Sequence, residues 1–148
     1  MALPCAGQES RVHALRLHPG QDVKAAIQEY AISHKIEAGY VITAVGSVRS
    51  LRLRLADRQE ATTFEGFHEV VSLVGTFSRH GAHLHMSASD REGLTRGGHL
   101  VEGNRVYTTL ELVLGEIQGV RFRRQHDPET GWPELHIEAT LGPGSESL

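Results

Sequence analysis

The sequence predicts an α+β domain, with one main helix packed on a largely antiparallel sheet. Three observations carry that prediction. Only one segment has helical spacing of its apolar residues, period-two alternation dominates from residue 40 onward, and the intervening turns are too short for the crossovers that parallel neighbours need. The 148 residues are 39% apolar and 22% charged, proportions that let one domain bury a core without a disulfide or a structural metal.

The elements follow in order. RVHALRLH (11–18) reads as a first strand closed by Pro19-Gly20, a strong turn dipeptide. Asp22 offers an N-cap, Val23, Ile27, Tyr30 and His34 fall at helical spacing, and Gly39 supplies the expected stop. Residues 40–48 read as a buried strand, and 50–56 alternate Leu51, Leu53 and Leu55 against Arg52 and Arg54, which implies one wet face. Further strands are expected at 62–66, 68–78, 82–90, 94–100 and 105–117, with VRFRRQ and ELHIEAT as a final pair. Residues 1–10 and 141–148 lack periodicity and read as loose tails, leaving one domain over 11–140.

Charge and cysteine content narrow the function. Fifteen Lys and Arg against eighteen Asp and Glu give a net charge of −3, so no global positive field favours nucleic acid as a partner. Cys5 stands alone, can form no internal bridge, and suits a reducing compartment. No apolar run approaches the length of a membrane span, and the start lacks a basic segment followed by an apolar one; a cytoplasmic protein is expected, a nuclear one being the alternative.

Ten histidines matter only where they converge. Along AHLHMSASD, alternation puts Ala82, Leu84, Met86 and Ala88 on one side and His83, His85, Ser87 and Ser89 on the other. If Arg91-Glu92-Gly93 forms a three-residue loop with Gly93 at positive φ, Asp90 pairs with Leu94 and every later pair sums to 184. His99 then faces His85, Leu100 faces Leu84 and Gly97 faces Ser87. His83, His85 and His99 become a compact triangle able to bind one divalent transition ion, zinc first, with a fourth tetrahedral position open as in catalytic sites. The spacing equally suits polar residues on a solvated strand face.

These same residues carry a family resemblance. FHEVVSLVGTF, GAHLHMSASDREGLTRGGHLVEG, VYTTLELVL and TGWPEL are similar to the PPC domain family (plant and prokaryote conserved, DUF296), over about residues 11–140. The resemblance implies a sandwich-like domain with an antiparallel sheet, a homotrimer, and a metal site at the positions of His83, His85 and His99, as in prokaryotic members. Plant members contact DNA through a separate AT-hook, an Arg-Gly-Arg-Pro element that this sequence lacks, so no DNA-binding residue is assigned. The fold is also similar to that of acetolactate decarboxylase and of a metal-dependent ester hydrolase.

Other residues carry weaker expectations. Glu69 is a candidate general base near the metal. Arg49 could steady an anionic substrate, and His80, before Gly81, could line the pocket mouth. Arg121, Arg123 and Arg124 read as a surface patch, and Trp132, between Gly131 and Pro133, as an apolar anchor. The expected function is a metal-dependent hydrolase or lyase acting on a small carbonyl or ester compound. A non-catalytic trimeric scaffold or sensor is the alternative, and a chromatin-associated protein a more distant one.

Overall fold

The computed structural model describes residues 9–140. The chain runs β1 (Ser10–Leu17), α1 (Val23–Ser33), β2 (Gly39–Val48), β3 (Leu51–Arg54), β4 (Ala61–Phe64), β5 (His68–Ser78), β6 (Gly81–Ser89), β7 (Thr95–Leu100), β8 (Val106–Ile117), β9 (Val120–His126) and β10 (Pro133–Ala139). Eight strands form one sheet in the order β1-β8-β2-β5-β6-β7-β3-β4, with every pairing antiparallel, and β9 and β10 form a separate hairpin. The expected α+β class is what the molecule shows. Of the tails expected over 1–10 and 141–148, residues 1–8 and 141–148 lie outside the described residues, while Ser10 already pairs with Ile117 in the sheet.

Asp22 caps α1 as expected: its Oδ1 accepts from the Ala25 N–H at 3.0 Å, and its Oδ2 accepts from the Gly103 N–H, tying the helix start to the segment before β8. The helix end differs from the expectation. Gly39 is not the stop; α1 closes at Ser33, and Lys35 takes the left-handed conformation at φ 55°. The Ile36 N–H bonds Ala31 O and the Lys35 N–H bonds Ile32 O, the paired closing bonds of a Schellman turn, here with lysine where glycine is usual. The turn drives Ile36 into the core with no exposed surface, and this burial outweighs the strain at Lys35.

Val23, Ile27 and Ala31 of α1 pack on one face of the sheet against Leu53, Leu73, Phe77, Leu84, Met86, Leu100, Leu110 and Leu112. Among the described residues, the other face has no helix over it. There Val45, Val71 and Val74 keep 58%, 60% and 54% of their surface exposed, although they sit on the central strands β2 and β5. One end of this face is covered by the β9–β10 hairpin, whose Val120 and Phe122 pack on Ala38 and Ile117. Arg121 Nε donates to Glu37 at 2.9 Å and Ser78 Oγ donates to Phe122 O at 2.8 Å, fixing the hairpin against the segment before β2 and the end of β5. Among the described residues, no helix is long and apolar enough to cross a membrane.

Candidate metal centre

The β6–β7 loop has the expected register. Gly93 adopts φ 80°, its N–H bonds Asp90 O at 2.9 Å, and the Asp90 N–H bonds Leu94 O at 3.1 Å. Pairing then runs from Ser89↔Thr95 through Ser87↔Gly97 to His85↔His99. The Asp90 carboxylate organises the loop, accepting from the N–H groups of Glu92 and Leu94 and from Arg96 Nη1 at 3.0 Å. That arginine contact, the largest influence, holds the Asp90 carboxyl below its usual range.

Alternation along β6 buries Leu84, Met86 and Ala88 and turns His83 and His85 to the open face. His83 Nε2 lies 3.1 Å from His85 Nε2, and the ring centroids of His83 and His85 stand 5.1 and 5.7 Å from that of His99. One ring nitrogen from each residue lies within 4.8 Å of the others, so this group can hold a metal ion.

Two further observations fit a transition ion. Bonds of about 2.0 to 2.1 Å at a tetrahedral angle separate nitrogens by roughly 3.3 Å, close to the approach of His83 and His85. His99 Nδ1 is buried without a hydrogen-bond partner, so the cluster is incompletely satisfied by the chain itself. Burial, followed by the nearby Arg54 guanidinium, pushes the His99 imidazole down to about 4, and burial followed by His85 lowers that of His83. Both rings are therefore neutral near pH 7, the form that coordinates metal.

A pocket of about 400 Å³ opens on this cluster, lined by His83, His99, Arg54, Arg124, Trp132 and Glu134 among others. Distant parts of the chain supply these groups. Arg54, at the end of β3, is the cross-strand partner of His99, and its guanidinium lies over the Trp132 ring at 5.2 Å. Arg124 of β9 donates to Thr76 Oγ1 at 2.9 Å, and Thr76 is the partner of His83. Gly75 permits this close packing: at φ 143°, a side chain there would run into the carbonyl oxygen of His83.

The remaining candidates stand elsewhere. Glu69 is exposed on β5 and pairs with Ser89, four residues along β6 from His85, or roughly 13 Å at strand spacing. Arg49 is exposed beyond β2, where its N–H bonds Arg105 O. His80 turns to Glu37, with Nε2 3.2 Å from its carboxylate, and does not line the pocket although the adjacent Gly81 does. Arg54, Arg124 and Glu134 were not singled out for the site by their sequence context, since each reaches it through a long-range pairing. The basic character of 121–124 and of 52–54 was the available signal.

The chain has recognisable relatives among known proteins. The profile of the Plants and Prokaryotes Conserved (PCC) domain matches residues 5–118. The chain belongs to that family. It is 39% identical to a hypothetical protein from Salmonella enterica of known structure, with a TM-score of 0.89, covering 93% of this chain and 99% of that one. A metal-containing protein from Archaeoglobus fulgidus shares the PCC fold at 24% identity and a TM-score of 0.79, covering 91% and 99%. A plant- and prokaryote-conserved protein from Pyrococcus horikoshii does so at 24% and 0.76, covering 95% and 100%. Among curated proteins, the PCC chain is 45% identical over 128 residues to the bifunctional protein GlmU of a Synechococcus strain, a match covering 86% of this chain and 21% of that protein. The chain thus spans about a fifth of the length of the curated relatives it matches.

Proposed function

We propose that this PCC protein binds one divalent transition ion, zinc in the first instance, through His83, His85 and His99, and acts as a hydrolase or lyase on a small carbonyl or ester compound. The observation that carries the reading is the convergence of three imidazoles from two paired strands, two of which, His83 and His99, line a pocket. Three imidazole ligands leave a tetrahedral ion one free position, the donor count of catalytic rather than structural zinc. An ion bound there supplies Lewis acidity toward a carbonyl, ester or water oxygen. The chain's own groups do the rest: Trp132 and the β9–β10 hairpin restrict solvent at one side, and Glu134 presents a carboxylate in the same pocket as a candidate proton acceptor. Within one chain, Glu69 is too far along the sheet for that role. The metal content of the Archaeoglobus neighbour supports the ion.

The bare, apolar face around Val45, Val71 and Val74 supports self-association, and we read the working form as a homotrimer in a reducing, cytoplasmic setting. Light scattering at micromolar concentration tests this, with a trimer mass expected and a monomer mass against it.

Metal analysis of purified protein tests the site. One ion per chain is expected in the wild type, and a loss in each of His83→Ala, His85→Ala and His99→Ala; equal stoichiometry in all four rejects it. A second reading, a non-catalytic ligand sensor, is favoured by the matching segment forming only a fifth of the GlmU relatives, as an appended module would. Turnover of simple esters or 2-oxo acids by the metal-loaded wild type, absent in the triple histidine variant, decides for the enzyme.

A further inference from the structure

We infer that Arg54 and Arg124 form a carboxylate clamp, so that the compound taken by the three-histidine pocket is a small carboxylic acid bearing an oxo or hydroxyl oxygen next to its carboxylate. The inference rests on the metal reading for the role of that second oxygen, but the clamp is a property of the chain alone.

Arg79, Arg96, Arg121 and Arg123 each meet a carboxylate of the chain. Among the described residues, Arg54 and Arg124 form no ion pair, although both are half-buried in the pocket wall; the opposing charge that reaches Arg124 is Glu134 of the same pocket. A guanidinium withdrawn from water without a counter-ion is costly, and an anionic ligand offsets that cost. Each is also held in place by something other than charge: Arg54 by the face of Trp132 at 5.2 Å, Arg124 by Thr76 Oγ1 at 2.9 Å. Their forks are therefore pre-oriented, which reduces the entropy lost on binding.

Position sets the shape of the ligand. Arg54 is the direct strand partner of His99, and Arg124 is anchored on Thr76, the strand partner of His83. Both arginines line the same pocket as His83 and His99, so an anion held by them lies across one shared space from the histidine cluster. A carboxylate carrying its reactive oxygen on the adjacent carbon spans that interval. Glu134 is the opposing charge, and it accepts a hydrogen bond from Thr130 Oγ1 at 3.0 Å, which engages it within its own hairpin. The pocket volume of about 400 Å³ admits a small acid and leaves room for a side chain on it.

Calorimetric titration of the full-length protein, with and without added zinc, tests the clamp using 2-oxobutyrate, its neutral amide, and inorganic phosphate as probes. The acid is expected to bind at least about tenfold tighter than the amide, since the amide forfeits charge-assisted hydrogen bonds. Arg54→Met and Arg124→Met should each erase most of that preference, weakening the acid far more than the amide, while leaving zinc content unchanged. Arg124→Lys, which keeps charge without the fork, should recover part of it, and thermal melts of the variants check that they remain folded. Equal binding of acid and amide, or an unchanged preference in both methionine variants, overturns the clamp. Phosphate binding tighter than the acid overturns the carboxylate assignment. Zinc content measured on the same samples separates the two readings: a wild type that takes up no zinc when zinc is added, yet still prefers the acid through Arg54 and Arg124, sinks the metal centre and leaves the clamp.

Discussion

His85 and His99 are direct cross-strand partners on β6 and β7, and their pairing is set by a three-residue loop in which Gly93 sits at φ 80°. A slip of one residue in that hairpin would turn His99 to the helix side of the sheet. The loop therefore positions the third imidazole, although it touches none of the three.

Gly93 has open space where a side chain would project, so a substitution there acts through backbone conformation alone. Gly93→Ala is expected to cost about 1 to 2 kcal/mol of stability, and Gly93→Asn less, because asparagine tolerates the left-handed region. Urea unfolding of the three proteins checks the order. Zinc affinity should fall in the same order, since strain that shifts the hairpin moves His99 relative to His85.

The Asp90 carboxyl responds to pH with a definite sign. Its folded value is depressed, chiefly by the Arg96 hydrogen bond, so its stabilising contribution is present above the ordinary carboxyl range, about pH 4, and is lost as pH falls through the folded value. Asp90→Asn should narrow the stability difference between neutral and acidic solution. Denaturation midpoints of both proteins from pH 7 down to pH 3 measure it, and parallel profiles would count against the loop account.

Much of this was legible in the sequence for a physical reason. Local pairings follow from alternation and turn chemistry, and β5, β6, β7 and β8 fall within a residue or so of their expected limits. The histidine register was readable because a short loop fixes it. What escaped depends on contacts between distant segments. Nothing around Arg54 says that β3 will lie beside β7, and nothing in VRFRRQ says that Arg124 will fold back onto Thr76. The sequence points to Gly39 as the helix stop because lysine rarely occupies the left-handed position that Lys35 takes. Glu69, in a segment close to the histidines in sequence, is carried away from them by the length of its own strand.

Trp132 is the chain's only tryptophan, it is 49% exposed, and it lines the pocket against Arg54. Occupation of the pocket should therefore change its emission wavelength or intensity, saturably and with the same affinity as calorimetry gives. Trp132→Phe keeps an aromatic face for Arg54 and should preserve binding while removing the signal. A saturating ligand that leaves the emission untouched would place binding elsewhere.

The central claim is that His83, His85 and His99 share one ion. A crystal grown with zinc and measured on both sides of the zinc absorption edge tests it most directly. The account predicts one strong anomalous peak, about 2.0 to 2.1 Å from a ring nitrogen of each of the three histidines. A peak that His99 does not reach, or no peak beside these residues at full zinc loading, would contradict it.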